Sequence, residues 1–301
     1  MTMTQKRHHA PILIIGSSGL VGSRFVKRSL QHQSLLLTPS HSTLPIGDRK
    51  KILAMVAKYT PQVIINFCAI TNIDEAEKER GDKKGKVWQT NVVGVSNLVA
   101  ACKAAGAFLI QISTDAVFPG TEDYPGPYYE DSLPSSHGKG INWYGYTKVV
   151  AEAETKKLGK QDAIIRISHP FGNLHSERDL IKKTIRDIDA GHKLFTDQQF
   201  TPTFIDDLTD TIWIIAEKKL SGTFHVGCQG LVSRWVFDHY IAKILHIKKP
   251  LVPGTMKEFL AQKGRAIRTR LGGFQTSQTQ HILGLSFHSW KEALNKTIPL
   301  V

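Results

Sequence analysis

Tyr144 and Lys148 form a Tyr-x-x-x-Lys pair, and this spacing places both side chains on one face of a helix. A phenol is a poor proton donor at neutral pH because its reference pKa is about 10. A lysine ammonium one turn away favours the phenolate and is expected to lower the pKa of Tyr144. The pair is therefore suited to exchange a proton with a substrate oxygen near neutral pH. The spacing also fits an ordinary surface helix, so the motifs that precede the pair decide its meaning.

A glycine-rich segment near the start of the chain is the first of these motifs. Gly16-x-x-Gly19-x-x-Gly22 follows the apolar run 12–15 and precedes apolar residues at helical spacing. Between a strand and a helix, such glycines permit a tight turn, and the free N–H groups of the helix N-terminus bind a pyrophosphate. The sequence therefore predicts a dinucleotide at this turn, with Ser18 as an additional hydroxyl donor.

The end of the second predicted strand bears on which dinucleotide binds. An acid about 20 residues after the glycine motif usually binds the adenosine ribose of NAD. The corresponding segment here is Thr38-Pro39-Ser40-His41, which has no carboxylate. An acid would repel a 2′-phosphate, whereas Ser40, His41 or the nearby Arg24 can accept one, so the sequence favours NADPH and leaves NADH open. Asp48 is predicted either to meet the adenine end or to cap the next helix.

The triplet Ser113-Thr114-Asp115 follows the fourth predicted strand. A hydroxyl beside Tyr144 could hydrogen-bond the reacting oxygen and stabilise the charge that develops there. Ser, Thr and Asp are also common turn residues, so the order of the three motifs, rather than the triplet alone, indicates catalysis. Asn91 is interpreted as a structural residue near Lys148. The histidines show no ligand spacing, and no metal is assigned.

The elements that would position these residues alternate between strand and helix. Buried strands are predicted at 12–15, 34–38, 63–67, 108–112, 163–167 and 223–226, with helices between them. This alternation predicts an α/β fold, a Rossmann-type doubly wound parallel sheet, with ligands bound beyond the C-terminal ends of the strands. The dinucleotide-binding domain is predicted to comprise 1–167 plus about 203–226. A smaller, mainly C-terminal substrate-binding domain would comprise 168–202 and 227–301.

Composition excludes several classes of protein. Of the 301 residues, 41% are hydrophobic and 22% are charged, which is typical of a soluble globular protein. No apolar run approaches the roughly 18 residues that span a bilayer, and the basic, polar first ten residues do not resemble a signal peptide. The three cysteines are too few for a disulfide framework. We expect a cytoplasmic protein whose net charge of +13, spread over short pairs, suits anionic ligands rather than nucleic acid or membrane.

Taken together, the motifs resemble those of the extended short-chain dehydrogenases/reductases, and within that superfamily the chain is most similar to the dTDP-4-dehydrorhamnose reductases. The resemblance covers almost the whole chain. The matching segments are 14–22, 61–66, 71–77, 113–120, 144–148 and 197–203. The pair Ser-Thr-Asp-x-Val-Phe-x-Gly and Asp-Gln-x-x-x-Pro-Thr is the most specific part of it.

The resemblance implies hydride transfer from a nicotinamide cofactor to the C4 ketone of a nucleotide-linked deoxysugar. In that scheme Tyr144 is the general acid, Lys148 lowers its pKa and holds the nicotinamide ribose, and Thr114 hydrogen-bonds the substrate oxygen. With Asp48 included, the residues expected at the cofactor are Gly16, Ser18, Gly19, Leu20, Val21, Asp48, Cys68, Ala69, Ile70, Thr71 and Lys148. The residues expected at the sugar are Thr114, Val117, Tyr144, His169 and Gln199.

Departures from the family pattern fall on the sugar side. The connection 135–143 is longer than usual, and Ser168-His169-Pro170-Phe171-Gly172 replaces an aromatic-rich segment. Dehydratases have Glu where this chain has Ala116, which cannot transfer a proton, so dehydration is disfavoured. Two alternatives stay open: a nucleotide-sugar epimerase, and a dinucleotide-binding regulatory subunit similar to the methionine adenosyltransferase β subunit. A homodimer is also left open.

Overall fold

Strands and helices alternate along the part of the chain that this computed structural model describes, residues 11–32 and 34–298. The strands are β1 (Ile12–Ile15), β2 (Leu36–Leu37), β3 (Val63–Asn66), β4 (Phe108–Thr114), β5 (Asp162–Ile167), β6 (Lys193–Phe195), β7 (Gln199–Phe200), β8 (Gly222–Val226), β9 (Val232–Ser233) and β10 (Val252–Gly254). The helices are α1 (Leu20–Arg28), α2 (Arg49–Tyr59), α3 (Ile73–Glu77), α4 (Lys86–Trp88), α5 (Gly94–Ala105), α6 (Trp143–Thr155), α7 (Leu180–Asp189), α8 (Ile205–Lys218), α9 (Arg234–Ile244), α10 (Met256–Leu260), α11 (Ser277–Leu283) and α12 (Trp290–Thr297).

Six of these strands form one parallel sheet in the order β2-β1-β3-β4-β5-β8. Successive residues of a strand point to opposite faces. Ile12 and Ile14 of β1 accordingly pack towards α1 and α8, whereas Leu13 and Ile15 pack towards α2 and α5. Because helices cover both faces, the strands are continuous apolar runs. The predicted doubly wound α/β sheet is confirmed.

The predicted elements differ from the observed ones mainly at their ends. The second strand is only two residues long, and β4 continues through Thr114. The helix that was expected to end at Gly106 does so, with a left-handed φ of 66° at that glycine. A π-helical turn at Gln89–Val93 joins α4 to α5, and Asn91 lies within it.

The segments between β5 and α8 and after β8 contain two small sheets, β10-β6 and β7-β9, that the sequence did not predict. The sheet β7-β9 contributes Phe200 to a separate apolar cluster that also includes Phe171 and Phe237. In the described residues no helix combines the length and apolar character needed to cross a bilayer. Residues 1–10 and 299–301, which include the polar N-terminal segment and the outer ends of the predicted domains, lie outside the described residues.

Candidate active site

Helix α6 presents Tyr144 and Lys148 to the end of β4. Its start is fixed by Asn142, whose Oδ1 accepts the N–H of Gly145 at 2.8 Å. A Cβ on Gly145 would lie 2.1 Å from the carbonyl oxygen of Ala116. Because glycine has no side chain, α6 can approach the turn that follows β4, and Tyr144 meets the predicted triplet there.

The phenol of Tyr144 is buried and lies beside the hydroxyl of Thr114. Burial raises the pKa of Tyr144 above its ordinary value and outweighs the lowering effect of the neighbouring Thr114 hydroxyl. This differs from the expectation that Lys148 would lower the pKa, because desolvation dominates at this depth. The phenol therefore keeps its proton at neutral pH, which is the form that a general acid needs.

Lys148 lies one turn further along α6 and is also buried. Its Nζ donates a hydrogen bond to the carbonyl oxygen of Ile112 in β4 at 2.6 Å. Burial lowers the pKa of Lys148 to about 8, while Glu152 and, more weakly, Cys68 act to raise it. Most of the lysine is therefore protonated at pH 7.

A chain of hydrogen bonds leads from Thr114 to His169. The Thr114 hydroxyl donates to Asp115 Oδ1 at 3.2 Å, and the Ser168 hydroxyl donates to Asp115 Oδ2 at 2.6 Å. Ser168 Oγ also lies 2.9 Å from His169 Nδ1. Since the Ser168 hydrogen is directed to Asp115, its oxygen accepts from His169 Nδ1–H, which leaves Nε2 as the acceptor nitrogen. Burial, with the nearby Arg234, lowers the pKa of His169 to about 3, so the ring is neutral.

These side chains line a cavity of about 190 Å³. A cation also lines it: Arg268, whose Nη2 donates to Asp74 Oδ1 at 2.7 Å. Asp74 also accepts from Arg265 Nη1 and from the N–H of Ala266, which fixes one wall of the cavity. The full lining is Ile73, Thr114, Asp115, Ala116, Asn142, Tyr144, His169, Gln198, Arg268 and Thr269.

The glycine-rich turn after β1 has the geometry of a pyrophosphate cradle. Gly16 has a φ of 81°, and a Cβ there would lie 2.7 Å from the backbone nitrogen of Cys68. A Cβ on Gly22 would lie 2.3 Å from the carbonyl oxygen of Gly16. No side chain caps α1, whose N-cap is Gly19, so backbone N–H groups of the first turn are available to an anion. The residues present therefore fit a dinucleotide.

Three residues of the predicted cofactor set differ in their exposure at this turn. Ser18 is exposed, so its hydroxyl can reach a ligand, and Leu20 is half-buried. The side chain of Val21 packs in the apolar core that the sheet forms with α1 and α8, so Val21 can contribute only its backbone to cofactor binding.

The segment after β3 lies between the glycine-rich turn and α6. Asn91 holds it in place, since its Oδ1 accepts the N–H of Ile70 at 2.8 Å and its Nδ2 donates to the Ile70 carbonyl at 3.0 Å. The same Nδ2 donates to Thr147 Oγ1 of α6 at 3.1 Å. The structural role expected for Asn91 is thus observed. Cys68, Ala69 and Ile70 are half-buried beside the turn, and Thr71 is exposed.

The adenine-side residues are only partly as expected. Ser40 and His41 are exposed, and the Ser40 hydroxyl bonds to Ser42 and Thr43. Arg24 is not free to bind a 2′-phosphate, because it forms a bidentate ion pair with Asp206 at 2.7 and 2.8 Å. This pair borders a larger cavity of about 390 Å³ that contains neither Tyr144 nor Lys148. Asp48 caps α2 by accepting the N–H of Lys51 at 3.0 Å.

Two residues predicted at the sugar lie outside the cavity. Val117 is fully buried among Phe118, Tyr128 and Phe274, because the turn after β4 directs it into the core. Gln199 is exposed on β7, whereas its neighbour Gln198 lines the cavity, since successive residues in an extended segment face opposite ways. Thr114, Tyr144 and His169 are brought together as predicted.

Sequence reasoning missed Asp115, Ser168, Gln198 and Arg268 as contributors to the site. The strand-end position of Ser168 was a usable signal, because β5 lies next to β4 in the sheet. Arg268 gave none, since it is far from the motifs in sequence and looks like part of the general basic charge. Within the described residues, no group of three His, Cys, Asp or Glu side chains could hold a metal ion.

The parallel sheet, the glycine-rich turn after β1 and the Tyr-x-x-x-Lys helix against the end of β4 define an oxidoreductase of the extended short-chain dehydrogenase/reductase type. More closely, the chain belongs to the RmlD substrate binding domain family, whose model matches residues 10–300. The resemblance read from the sequence is thereby confirmed.

The relatives agree with this assignment. The chain is 32% identical over 219 residues to a dTDP-4-dehydrorhamnose reductase of Streptomyces griseus, covering 71% of this chain and 68% of that protein. It is 31% identical over 218 residues to a dTDP-4-keto-6-deoxy-D-glucose reductase of Streptomyces niveus, covering 71% of each. The crystal structure of dTDP-4-dehydrorhamnose reductase from Bacillus anthracis in complex with NADP is similar with a TM-score of 0.84 and 28% identity, over 96% of this chain and 98% of that one.

Proposed function

We propose that this protein reduces the C4 ketone of a nucleotide-linked deoxysugar with NADPH, in the manner of a dTDP-4-dehydrorhamnose reductase. The observation that carries the proposal is that the buried phenol of Tyr144 and the hydroxyl of Thr114 line the same polar cavity. Two oxygen groups there converge on the position of a substrate oxygen. NADPH, when bound, supplies the hydride.

In the proposed reaction, Thr114 and Tyr144 bind the ketone oxygen and orient it. Tyr144 then transfers its proton to the oxygen as negative charge develops on it, which its protonated state at neutral pH permits. Lys148, one turn away and largely protonated at pH 7, stabilises the phenolate that remains. Without substrate the Thr114 hydroxyl donates its hydrogen to Asp115 Oδ1, so this hydrogen has to turn to the ketone oxygen when the sugar binds.

The cofactor is proposed to bind along the C-terminal edge of the sheet. The turn from Gly16 to Val21 would hold the pyrophosphate through backbone N–H groups, and residues 68–71 would line the nicotinamide side with Lys148. The absence of a carboxylate in 38–41 supports NADPH, with Ser40 and His41 as the groups nearest the expected 2′-phosphate. NADH remains the weaker alternative.

The sugar is proposed to bind in the cavity beside Tyr144. Its polar lining, including His169 Nε2, Gln198 and Arg268, suits a ring that carries several hydroxyl groups. We assign His169, Gln198, Arg268 and Thr269 of the lining to a substrate-binding domain made of 168–202 and 227–301, and the rest of it to a dinucleotide-binding domain made of 1–167 and about 203–226. The separate apolar cluster around Phe237 supports this division. A cytoplasmic location and a homodimer remain predictions.

The test is oxidation of NADPH and NADH, followed by absorbance, with dTDP-4-dehydrorhamnose generated in situ. We expect rapid turnover that prefers NADPH and that falls by about 10² to 10⁴ in Tyr144→Phe, the typical contribution of acid catalysis. NADPH affinity should change little in that variant. Tyr146→Phe is the matched control, because Tyr146 lies on the same helix and its ring packs against Trp143.

Each other outcome has a definite meaning. Undiminished turnover in Tyr144→Phe would remove Tyr144 from the mechanism. Tight NADPH binding without turnover of this substrate or of related 4-keto-sugars would instead favour the regulatory-subunit alternative. Interconversion of sugars without net NADPH oxidation would favour an epimerase.

A further inference from the structure

A third buried residue with a titratable side chain, Glu152, continues the line formed by Tyr144 and Lys148. Glu152 follows Lys148 by four residues on α6, so the three side chains lie on the same face of the helix. Glu152 is 2% exposed, which is unusual for a carboxylate unless it is paired. Glu152 has no role in the proposed reduction of the ketone.

The partners of Glu152 connect it to both strands beneath the site. Its Oε1 accepts the Ser113 hydroxyl at 2.6 Å and Arg166 Nε at 3.0 Å, and its Oε2 accepts Arg166 Nη2 at 2.8 Å. Ser113 immediately precedes Thr114 in β4, and Arg166 lies beside it in β5. Arg166 is 1% exposed. Replacing a buried ion pair with apolar residues is often neutral or stabilising, so fold stability alone is a weak explanation for this pair.

Glu152 is the anion that offsets the effect of burial on the pKa of Lys148. Among the groups acting on it, Glu152 and Cys68 raise the pKa of Lys148. Burial raises the pKa of the Cys68 thiol itself, so Cys68 carries no charge at neutral pH. Asp115 is hydrogen-bonded to Thr114 and Ser168 in the cavity and is not among the groups that shift the pKa of Lys148. Behind Glu152 stands Arg166, whose further neighbour His225 is neutral because burial lowers its pKa to about 3.

We propose that Glu152 is a positioning residue whose negative charge keeps Lys148 protonated in its buried place, and that Arg166 and Ser113 hold Glu152 in the orientation this requires. The inference rests on the proposed function, since Lys148 acts there through the cofactor ribose and Tyr144. It adds that Glu152, which contacts neither the cofactor nor the sugar in the proposed reaction, sets the upper limit of the pH range in which the site works.

NADPH binding, followed by nicotinamide fluorescence, tests this without any sugar substrate. Titrations across about pH 6 to 10 bracket the pKa of a buried lysine. For the unaltered protein we expect affinity to fall roughly tenfold, the value of one charged hydrogen bond, as the pH rises through about 8, the pKa of Lys148. In Glu152→Gln the same fall should begin about one pH unit lower, because the neutral form of Lys148 is no longer opposed.

Glu154→Gln is the matched control. Glu154 lies on the same helix but pairs with Lys157 and Ser96 at the surface, away from Lys148. Its pH profile should coincide with that of the unaltered protein. A merely structural role for Glu152 would lower thermal stability and affinity at every pH and would leave the midpoint of the fall unchanged. An unshifted midpoint would therefore overturn the proposal.

A second variant covers the case in which Glu152→Gln does not fold because Arg166 is left unpaired. Glu152→Leu combined with Arg166→Met replaces the whole pair with apolar groups of similar size. Lys148 is adjacent to Glu152 and further from Arg166, so the midpoint should still move down, by less than in Glu152→Gln. A shift in the single variant but none in the double one would assign the effect to the stranded arginine and reject the role of Glu152.

Failure of the proposed function would look different. If the unaltered protein binds NADPH with the expected alkaline fall but does not reduce the keto-sugar, the positioning role of Glu152 stands and the substrate assignment is wrong. If the unaltered protein binds NADPH equally at all pH values in this range, Lys148 does not titrate there and the inference is wrong.

Discussion

The proposed cofactor side of this site consists mainly of backbone groups, whereas the proposed sugar side consists mainly of side chains. The cofactor side is mostly backbone: glycines whose missing side chains allow Gly16 to touch the Cys68 segment, and the uncapped N-terminus of α1. The proposed sugar side is mostly side chains from parts of the chain that are far apart in sequence: 114–116, Asn142, Tyr144 and 268–269, together with Ile73, His169 and Gln198. The first kind of site can be identified from a local motif, whereas the second exists only after the chain has folded.

This difference also divides general from specific function. A backbone cradle recognises a pyrophosphate, which is common to all dinucleotides. In the proposed site, the hydrogen-bonded chain from Thr114 through Asp115 and Ser168 to His169 would set which donors and acceptors face the sugar. Changes on the two sides should therefore separate cleanly in kinetics, the first affecting cofactor affinity and the second the KM for the sugar.

The largest expected effect comes from placing a side chain in the cradle. Gly16→Ala adds a Cβ 2.7 Å from a backbone nitrogen at a φ of 81°. Strain at positive φ costs about 1–3 kcal/mol and overpacking a further 1–3 kcal/mol. We expect the Kd for NADPH to rise about a hundredfold, equivalent to about 2.8 kcal/mol, when measured by fluorescence titration.

Gly191→Ala is the control for backbone strain alone. Gly191 has a similar φ of 68°, but a Cβ there would meet nothing within 4 Å. This variant should lose some thermal stability and keep its NADPH affinity. Equal loss of affinity in both variants would mean that global destabilisation, and not the cradle, is being measured.

A smaller effect is expected from the sugar side. Ser168→Ala removes the donor to Asp115 and the acceptor for His169, so the His169 ring loses its fixed tautomer. Loss of a hydrogen bond to a charged group costs about 1.5–3 kcal/mol when its partner stays buried. We expect the KM for the keto-sugar to rise roughly tenfold while the Kd for NADPH is unchanged, in steady-state assays and titrations respectively.

Ser221→Ala provides the comparison for this second change. The Ser221 hydroxyl is at the surface and bonds only to the Gly159 carbonyl, at 3.2 Å, among the described residues. Its KM should match that of the unaltered protein. If Ser168→Ala instead weakens NADPH binding as much as sugar binding, the two sides of the site are coupled and the comparison drawn above is wrong.

The accuracy of the sequence predictions also differs between the cofactor side and the sugar side. The strands, the order of the motifs and the meeting of Thr114 with Tyr144 were predictable, because apolar runs and glycine spacing are local signals. The choice of Gln199 over Gln198 failed by one residue, since the side on which an extended segment faces the cavity depends on its partners, here β9 and the 270–272 segment. The ion pair of Arg24 with Asp206 joins residues far apart in sequence, and no pattern in the sequence indicates it.

Burial explains the remaining differences. The sequence suggested that Lys148 would lower the pKa of Tyr144, which treats the two groups as if they stood in solvent. In the folded protein both are buried, and desolvation favours the neutral form of each group. It raises the pKa of Tyr144 and lowers the pKa of Lys148 to about 8. The size of these pKa shifts depends on how deeply each side chain is buried, and a single sequence does not show that depth.

The smallest expected effect distinguishes the two roles considered for Asp48. Its carboxylate caps α2 through the N–H of Lys51, and a cofactor role would require it also to meet the adenine end. Asp48→Asn keeps an equally good cap, because Asn and Asp are similar at this position. Thermal stability should therefore be unchanged, while the loss of one weak polar contact, worth about 0.5–1.5 kcal/mol, should raise the Kd for NADPH a few-fold. An unchanged Kd would leave Asp48 as a helix cap alone, and the cofactor side would then depend even more completely on backbone groups.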